Sequence, residues 1–265
     1  MAGIGGGMFE QLQDHGFDVA VTNHAGAILT HDFASEAAAL AERLSGFSVS
    51  MAELIGGGGG ESGQTQRLRH ALHDAGWRKH RFHVQTIVDG IEREGISHEV
   101  DHVRFCDPGA LALEVEWNNK DPFFDRDLEN FQRLHALSAI SVGIIVTRGA
   151  SFQDGIRTRI TDWLHDNALT SEDDLERLGI GDRTARQKSR VAAQVSRGTP
   201  FHEAFAGAFT ADKFGPSTTH WAKLEDRIRR GVGNPCPLVL IGLPLGIISD
   251  AAPEVEAAAP GLFDT

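Results

Sequence analysis

The chain has 265 residues, 41% of them hydrophobic, with 25 basic against 37 acidic side chains and a formal net charge of −12. That size suits one generous domain or two small ones, and the acidic balance argues against a nonspecific nucleic-acid coat, which needs net positive charge to displace counterions. Two cysteines, Cys106 and Cys236, are too few for a Cys-rich zinc centre or a disulfide framework, and the absence of tyrosine removes any mechanism that passes through a phosphotyrosyl intermediate. No stretch approaches the roughly 20 apolar residues of a membrane span. No charged-then-apolar leader is visible, so a cytoplasmic protein without membrane contact is expected.

In chain order, Phe17 to Thr22 reads as a strand and Ala34 to Ser45 as an Ala/Leu-rich helix. A glycine run from Gly56 to Gly60, extended by Gly63, opens a helix over about 64–76. It is not a Walker A loop, because Gly-Lys-Ser/Thr does not follow. It reads as a linker, or as a loop that approaches a phosphate backbone with Arg67 and Arg69 behind it. Phe82 to Ile91 leads as a strand into a hairpin with arms near 99–105 and 110–117. Asp121-Pro122 supplies an N-cap and a first-turn proline for a helix whose Phe124, Leu128, Phe131 and Leu134 recur at helical spacing. Ser141 to Thr147 is a β-branched run of the kind buried inside a sheet. Residues 151–213 read as helical without recognisable chemistry, and the run Arg183 to Arg190 as a solvated helix face. Pro235 to Leu243 is a last buried strand, and the acidic Ala/Pro-rich tail after Asp250 is expected to fray.

The hairpin carries the chemistry. Asp107-Pro108-Gly109 is strong turn sequence. With Cys106 to Gly109 as the loop, Phe105 pairs with Ala110 and the register runs back to set Asp101 opposite Glu114. Opposed residues share a face with Cβ atoms about 5 Å apart, and Glu116 joins them because side chains alternate along a strand. The same face continues as Val103, Phe105, Ala110 and Ala112. Three carboxylates so close repel one another and call for a cation; hard oxygen ligands suit Mg²⁺. A Glu-x-Glu pair on a strand is otherwise the wet face of a sheet.

The remaining polar residues are less specific. His70/His73 and His80/His83 are spaced i, i+3, but no His-Glu-x-x-His or Cys/His pattern accompanies them. Positive charge gathers at Arg67, Arg69, Arg78 and Lys79, at Arg183 to Arg197, and at Arg227, Arg229 and Arg230. Arginine suits bidentate contact with phosphate and guanine, although genomic base composition raises arginine content equally well.

The Asp-to-Glu offset fits the PD-(D/E)XK nucleases. Glu114-Val-Glu-Trp-Asn-Asn-Lys-Asp-Pro-Phe-Phe, Ile144 to Gly149, Ser217 to Gly231 and Cys236 to Gly242 together resemble the BglII/BstYI family of type II restriction endonucleases. The resemblance spans about 56–248 and is densest over 99–149. Glu116 stands where the motif lysine usually is, and relatives carry Gln or Glu there. The resemblance implies an α/β fold of the restriction-endonuclease-like type, a mixed central β-sheet flanked by helices. It implies one domain over 1–265 with a nuclease core at about 56–248. Asp101 and Glu114 would hold Mg²⁺, with Mn²⁺ substituting, and Glu116 would orient the attacking water. Asn118 and Asn119 occupy the place of base-contacting residues, and His220, Lys223, Arg227 and Arg230 are expected against the DNA. The expected function is Mg²⁺-dependent hydrolysis of double-stranded DNA at a short palindrome, with a GATC core, by a homodimer built around the helix from Pro122 to Leu137. A cognate methyltransferase would be its genetic partner in a restriction-modification system. A repair or structure-specific PD-(D/E)XK nuclease, or an inactive DNA-binding relative, are the alternatives.

Overall fold

A computed structural model describes residues 7–56, 63–181 and 183–250. Strands β1 (Asp18–Thr22), β3 (Arg78–Val88), β4 (Ile91–Cys106), β5 (Gly109–Val115), β6 (Val142–Arg148) and β7 (Leu238–Leu243) form one sheet in the order β1-β7-β6-β5-β4-β3. The pairs β5/β6 and β6/β7 are parallel and the others antiparallel, so the sheet is mixed. A short parallel pair, β2 (Val49–Ser50) with β8 (Ile248–Ser249), stands apart. Before the hairpin run α1 (Met8–Asp14), α2 (Ala25–Asp32), the Ala/Leu helix α3 (Ala34–Ser45) as its sequence predicts, α4 (Met51–Ile55) and α5 (Gly63–Asp74). After it come α6 (Phe123–Ala136), then α7 (Ala150–Asp166), α8 (Glu172–Arg177), α9 (Ala185–Val195) and α10 (Phe201–Lys213), which occupy most of 150–213, and α11 (Trp221–Arg229). The acidic tail beyond Asp250 and most of the glycine run lie outside the described residues.

Each face of the sheet has its own core. Leu111, Leu113, Val142, Ile144, Val146, Val239 and Ile241 point to the larger one, which includes Phe152, Ile160 and Phe205 from the helices. Ala110, Ala112, Ile145, Leu238 and Leu240 point the other way, against α6 (Phe123–Ala136) and α11 (Trp221–Arg229). Strands covered on both faces favour apolar residues, which is why β6 and β7 are rich in Val, Ile and Leu; every residue of both is buried, including Thr147 and Arg148 at the end of β6. At Gly143 the helix comes so close that a Cβ would stand 2.4 Å from Phe131 Cδ2.

One expectation about α6 is corrected. Pro122, not Asp121, is its N-cap residue; the Asp121 carboxylate instead reaches Lys223 Nζ at 3.4 Å and Arg227 at 3.6 Å. Phe124, Leu128, Phe131 and Leu134 are all 0% exposed, packed into the chain's own core at about 1.5–3 kcal/mol each. The apolar face of α6 is thus already covered within one chain, and the outward residues are Arg126, Glu129, Gln132 and Arg133, with Leu137 beyond them.

Candidate active site

The turn folds as its sequence dictates. Asp107 and Pro108 form a two-residue turn, Cys106 pairs with Gly109 and Phe105 with Ala110. Gly109 has φ +151°, and a Cβ there would collide with Ser141 Oγ at 2.2 Å, so only glycine fits this corner. The register continues through His102 opposite Leu113 to Asp101 beside Glu114, whose Oε1 accepts a hydrogen bond from the Asp101 N–H at 3.3 Å.

A bulge modifies this simple picture. On β3, Arg78 pairs with Val103 but His80 pairs with Val100, so Asp101 and His102 together oppose the single residue Lys79. Such an insertion bends a strand and re-aims its side chains. It explains how Val100 and Val103, three apart, both face the α6 core. The Asp101 side chain is 59% exposed and 3.5 Å from Lys79 Nζ, which also reaches Glu99 Oε1 at 2.7 Å. Regular alternation, assumed from sequence, carries no sign of this.

Glu114 and Glu116 are buried on the α6 face. Burial, then the charges of Asp127 and Asp101, push the Glu114 carboxyl up to about 9. Burial and Asp127 also raise Glu116, against the pull of the Asn119 amide, which donates to its Oε2, and of Arg126, 3.4 Å from its Oε1. Asp127, on α6, is 1% exposed and was not anticipated. Its signal was available: an acidic residue inside the helix's apolar stripe, between Phe124, Leu128 and Phe131. Among the described residues no three His, Cys, Asp or Glu side chains are grouped so as to enclose a metal unaided.

The segment after β5 is stitched to residues 217–220. Thr219 N–H donates to Asn119 O at 2.8 Å, Asn119 N–H to Thr219 Oγ1 at 3.1 Å, and Asp121 N–H to Ser217 O at 3.1 Å. Fully buried Arg148, at the end of β6, anchors this loop from below through Thr219 O and Thr218 Oγ1, both at 2.6 Å, while stacking on Phe214. Two stretches 100 residues apart in sequence are thereby joined, placing His220, the N-cap of α11, and Lys223 on the same end of the molecule as Asn118 and Asn119.

Arg227 requires a correction. It is 6% exposed, with Nε 3.0 Å from both Asp125 carboxylate oxygens and NH2 2.9 Å from Oδ2. Its guanidinium ties α11 to α6 and is not presented to solvent. Arg230 is exposed, bonded only locally to Asp226 among the described residues. The solvated-face reading of Arg183 to Arg190 also fails at Arg183, whose buried guanidinium meets Glu172 at 2.5 Å and covers the Phe205 ring.

Asp101, Asn118 and Asn119 line a cleft of about 1150 Å³ whose other walls include Lys79, Arg69, Trp77, Lys213 and Phe214. Glu114 and Glu116 connect to its rim through the Asp101 N–H and the Asn119 amide. No helix among the described residues is long and apolar enough to cross a membrane.

A mixed sheet flanked by helices, with an acidic hairpin at its centre, is the restriction-endonuclease type of α/β fold. The family described as restriction endonuclease BglII/BglIII matches residues 17–243, and the chain belongs to it. A comparison with curated proteins returned no match.

Proposed function

We propose that the protein is a Mg²⁺-dependent type II restriction endonuclease that hydrolyses double-stranded DNA at a short palindrome, leaving 5′-phosphate and 3′-hydroxyl ends. The observation that carries this reading is the pairing of Asp101 with Glu114 across the hairpin, inside a chain of this family. The residues fit the ion. Buried carboxylates crowded enough to raise one another's proton affinity are relieved by a hard divalent cation. Mg²⁺ takes only one or two carboxylates and completes its shell with waters and substrate phosphate, so an incomplete protein cage suits it. Asp101 and Glu114 would hold it, and Mn²⁺ would substitute. When bound it would lower the pKa of a water and neutralise charge on the scissile phosphate.

The chain's own groups do the rest. Glu116, fixed by the Asn119 amide and Arg126, orients or deprotonates the attacking water. Asn118 lines the cleft, and its amide can both donate to and accept from adenine. His220, Lys223 and Arg230 flank the approach to phosphate. One hairpin cuts one strand, so a two-fold homodimer matched to a palindrome delivers both cuts; a GATC core follows from the family resemblance. A cognate methyltransferase would protect the host's own sites.

Digestion of a sequenced plasmid with Mg²⁺, end-mapping of the fragments, and light scattering of the protein test this together. Discrete bands with a staggered 5′ overhang and a dimer mass are expected. A smear of random products would point to a different class of nuclease, and binding without cleavage to an inactive relative.

A further inference from the structure

We infer that Asp127, contributed by α6 from outside the hairpin, is a third buried carboxylate facing the cation, directly or through one water. The inference rests on the proposed cation-dependent reading and deepens it. Asp127 is 1% exposed; its Oδ1 accepts from Arg126 Nε at 2.8 Å, while its buried Oδ2 has no hydrogen-bond partner. Leaving a buried carboxylate oxygen without a donor is unfavourable, so it signals a missing positive partner. The Arg126 guanidinium that holds Asp127 Oδ1 also reaches Glu116 Oε1 at 3.4 Å, which sets the two carboxyls side by side.

The ion pairs point the same way. Among the described residues the ion-pair partner of both Glu116 and Asp127 is Arg126, one cation against two buried carboxyls, and buried Glu114 stands two residues before Glu116. Arg126 is half exposed and bridges Asp127 and Glu116 from the solvent side, so it competes with the ion for the same oxygens.

The test is Mn²⁺ binding without DNA, read from the electron paramagnetic resonance signal of free Mn²⁺. Asp127→Asn should weaken binding by about 10- to 100-fold, the range typical of groups that support a metal's ligands. Arg126→Gln should tighten it, because a competing charge is removed; a folding defect would not produce opposite signs. Exposed Glu129→Gln, on the same helix, should bind as the wild type does. Equal Mn²⁺ affinity in wild type and Asp127→Asn, with a lower melting temperature in the variant, would reduce Asp127 to a helix anchor and overturn the inference alone. Wild-type protein that binds no Mn²⁺ would overturn the cation-dependent reading and this inference with it.

Discussion

Replacing Glu114 with glutamine should stabilise the metal-free protein while abolishing cleavage. Glu114 is 4% exposed, and its carboxyl is raised from 4.5 to about 9, first by burial and then by Asp127 and Asp101. A carboxyl raised on folding binds its proton more tightly in the folded chain. The stability it contributes is therefore fully present below the unfolded value of 4.5 and drains away as pH climbs toward about 9. At about pH 7.5 that loss amounts to some three pH units, or about 4 kcal/mol as an upper bound, at 1.36 kcal/mol per unit. Glutamine has nearly the same shape, does not ionise, and escapes the loss. The two proteins should melt together near pH 4.5 and diverge by up to about 1.4 kcal/mol per unit above it. In a chain of this size each kcal/mol is worth about 2–4 °C in Tm. Thermal unfolding in EDTA across pH 5 to 8 measures the divergence, and added Mg²⁺ should close the gap by stabilising only the wild type. A difference that stays constant with pH, or a variant less stable at pH 8, would refute the claim that Glu114 is a desolvated, crowded carboxylate.

Asn118→Ala should erode discrimination between cognate and near-cognate sites by about 1–3 kcal/mol, whereas Asn119→Ala, losing the hydrogen bond to Glu116, should lower the cleavage rate more than binding; competitive binding and single-turnover assays separate the two, and reversed effects would exchange their roles. Arg227→Ala should cost about 1.5–3 kcal/mol of stability by stranding Asp125, while leaving the salt dependence of DNA binding nearly unchanged; a flattened salt slope without destabilisation would restore it as a phosphate contact. Gly143→Ala should overpack the α6 face against Phe131 and cost about 1–3 kcal/mol in urea unfolding; wild-type stability would mean that α6 can shift freely.

Local sequence determined the elements and the hairpin. Turn chemistry at Asp107-Pro108-Gly109 was enough to derive the pairing of Phe105 with Ala110, because the length of a tight hairpin loop fixes the register of the strands it joins. The Ala34–Ser45 helix and the buried β6 strand were legible for the same reason: their hydrophobic period is set by one face or two being covered. What surrounds the carboxylates depends on contacts far apart in sequence. The bulge opposite Lys79 comes from how β3 lies on β4, and a one-residue excess leaves no periodic trace. Arg227 in sequence is one cation in a basic run. Only the packing of α11 on α6 brings Asp125 to it and removes it from solvent. Asp127 lay in plain view as a carboxylate in an apolar stripe, but Glu116, with which it shares Arg126, follows a strand that the core holds under the helix. The sequence determined which groups the site contains; the tertiary structure decided which are buried together, because desolvation and Coulomb repulsion depend on distances through space that spacing along the chain does not encode.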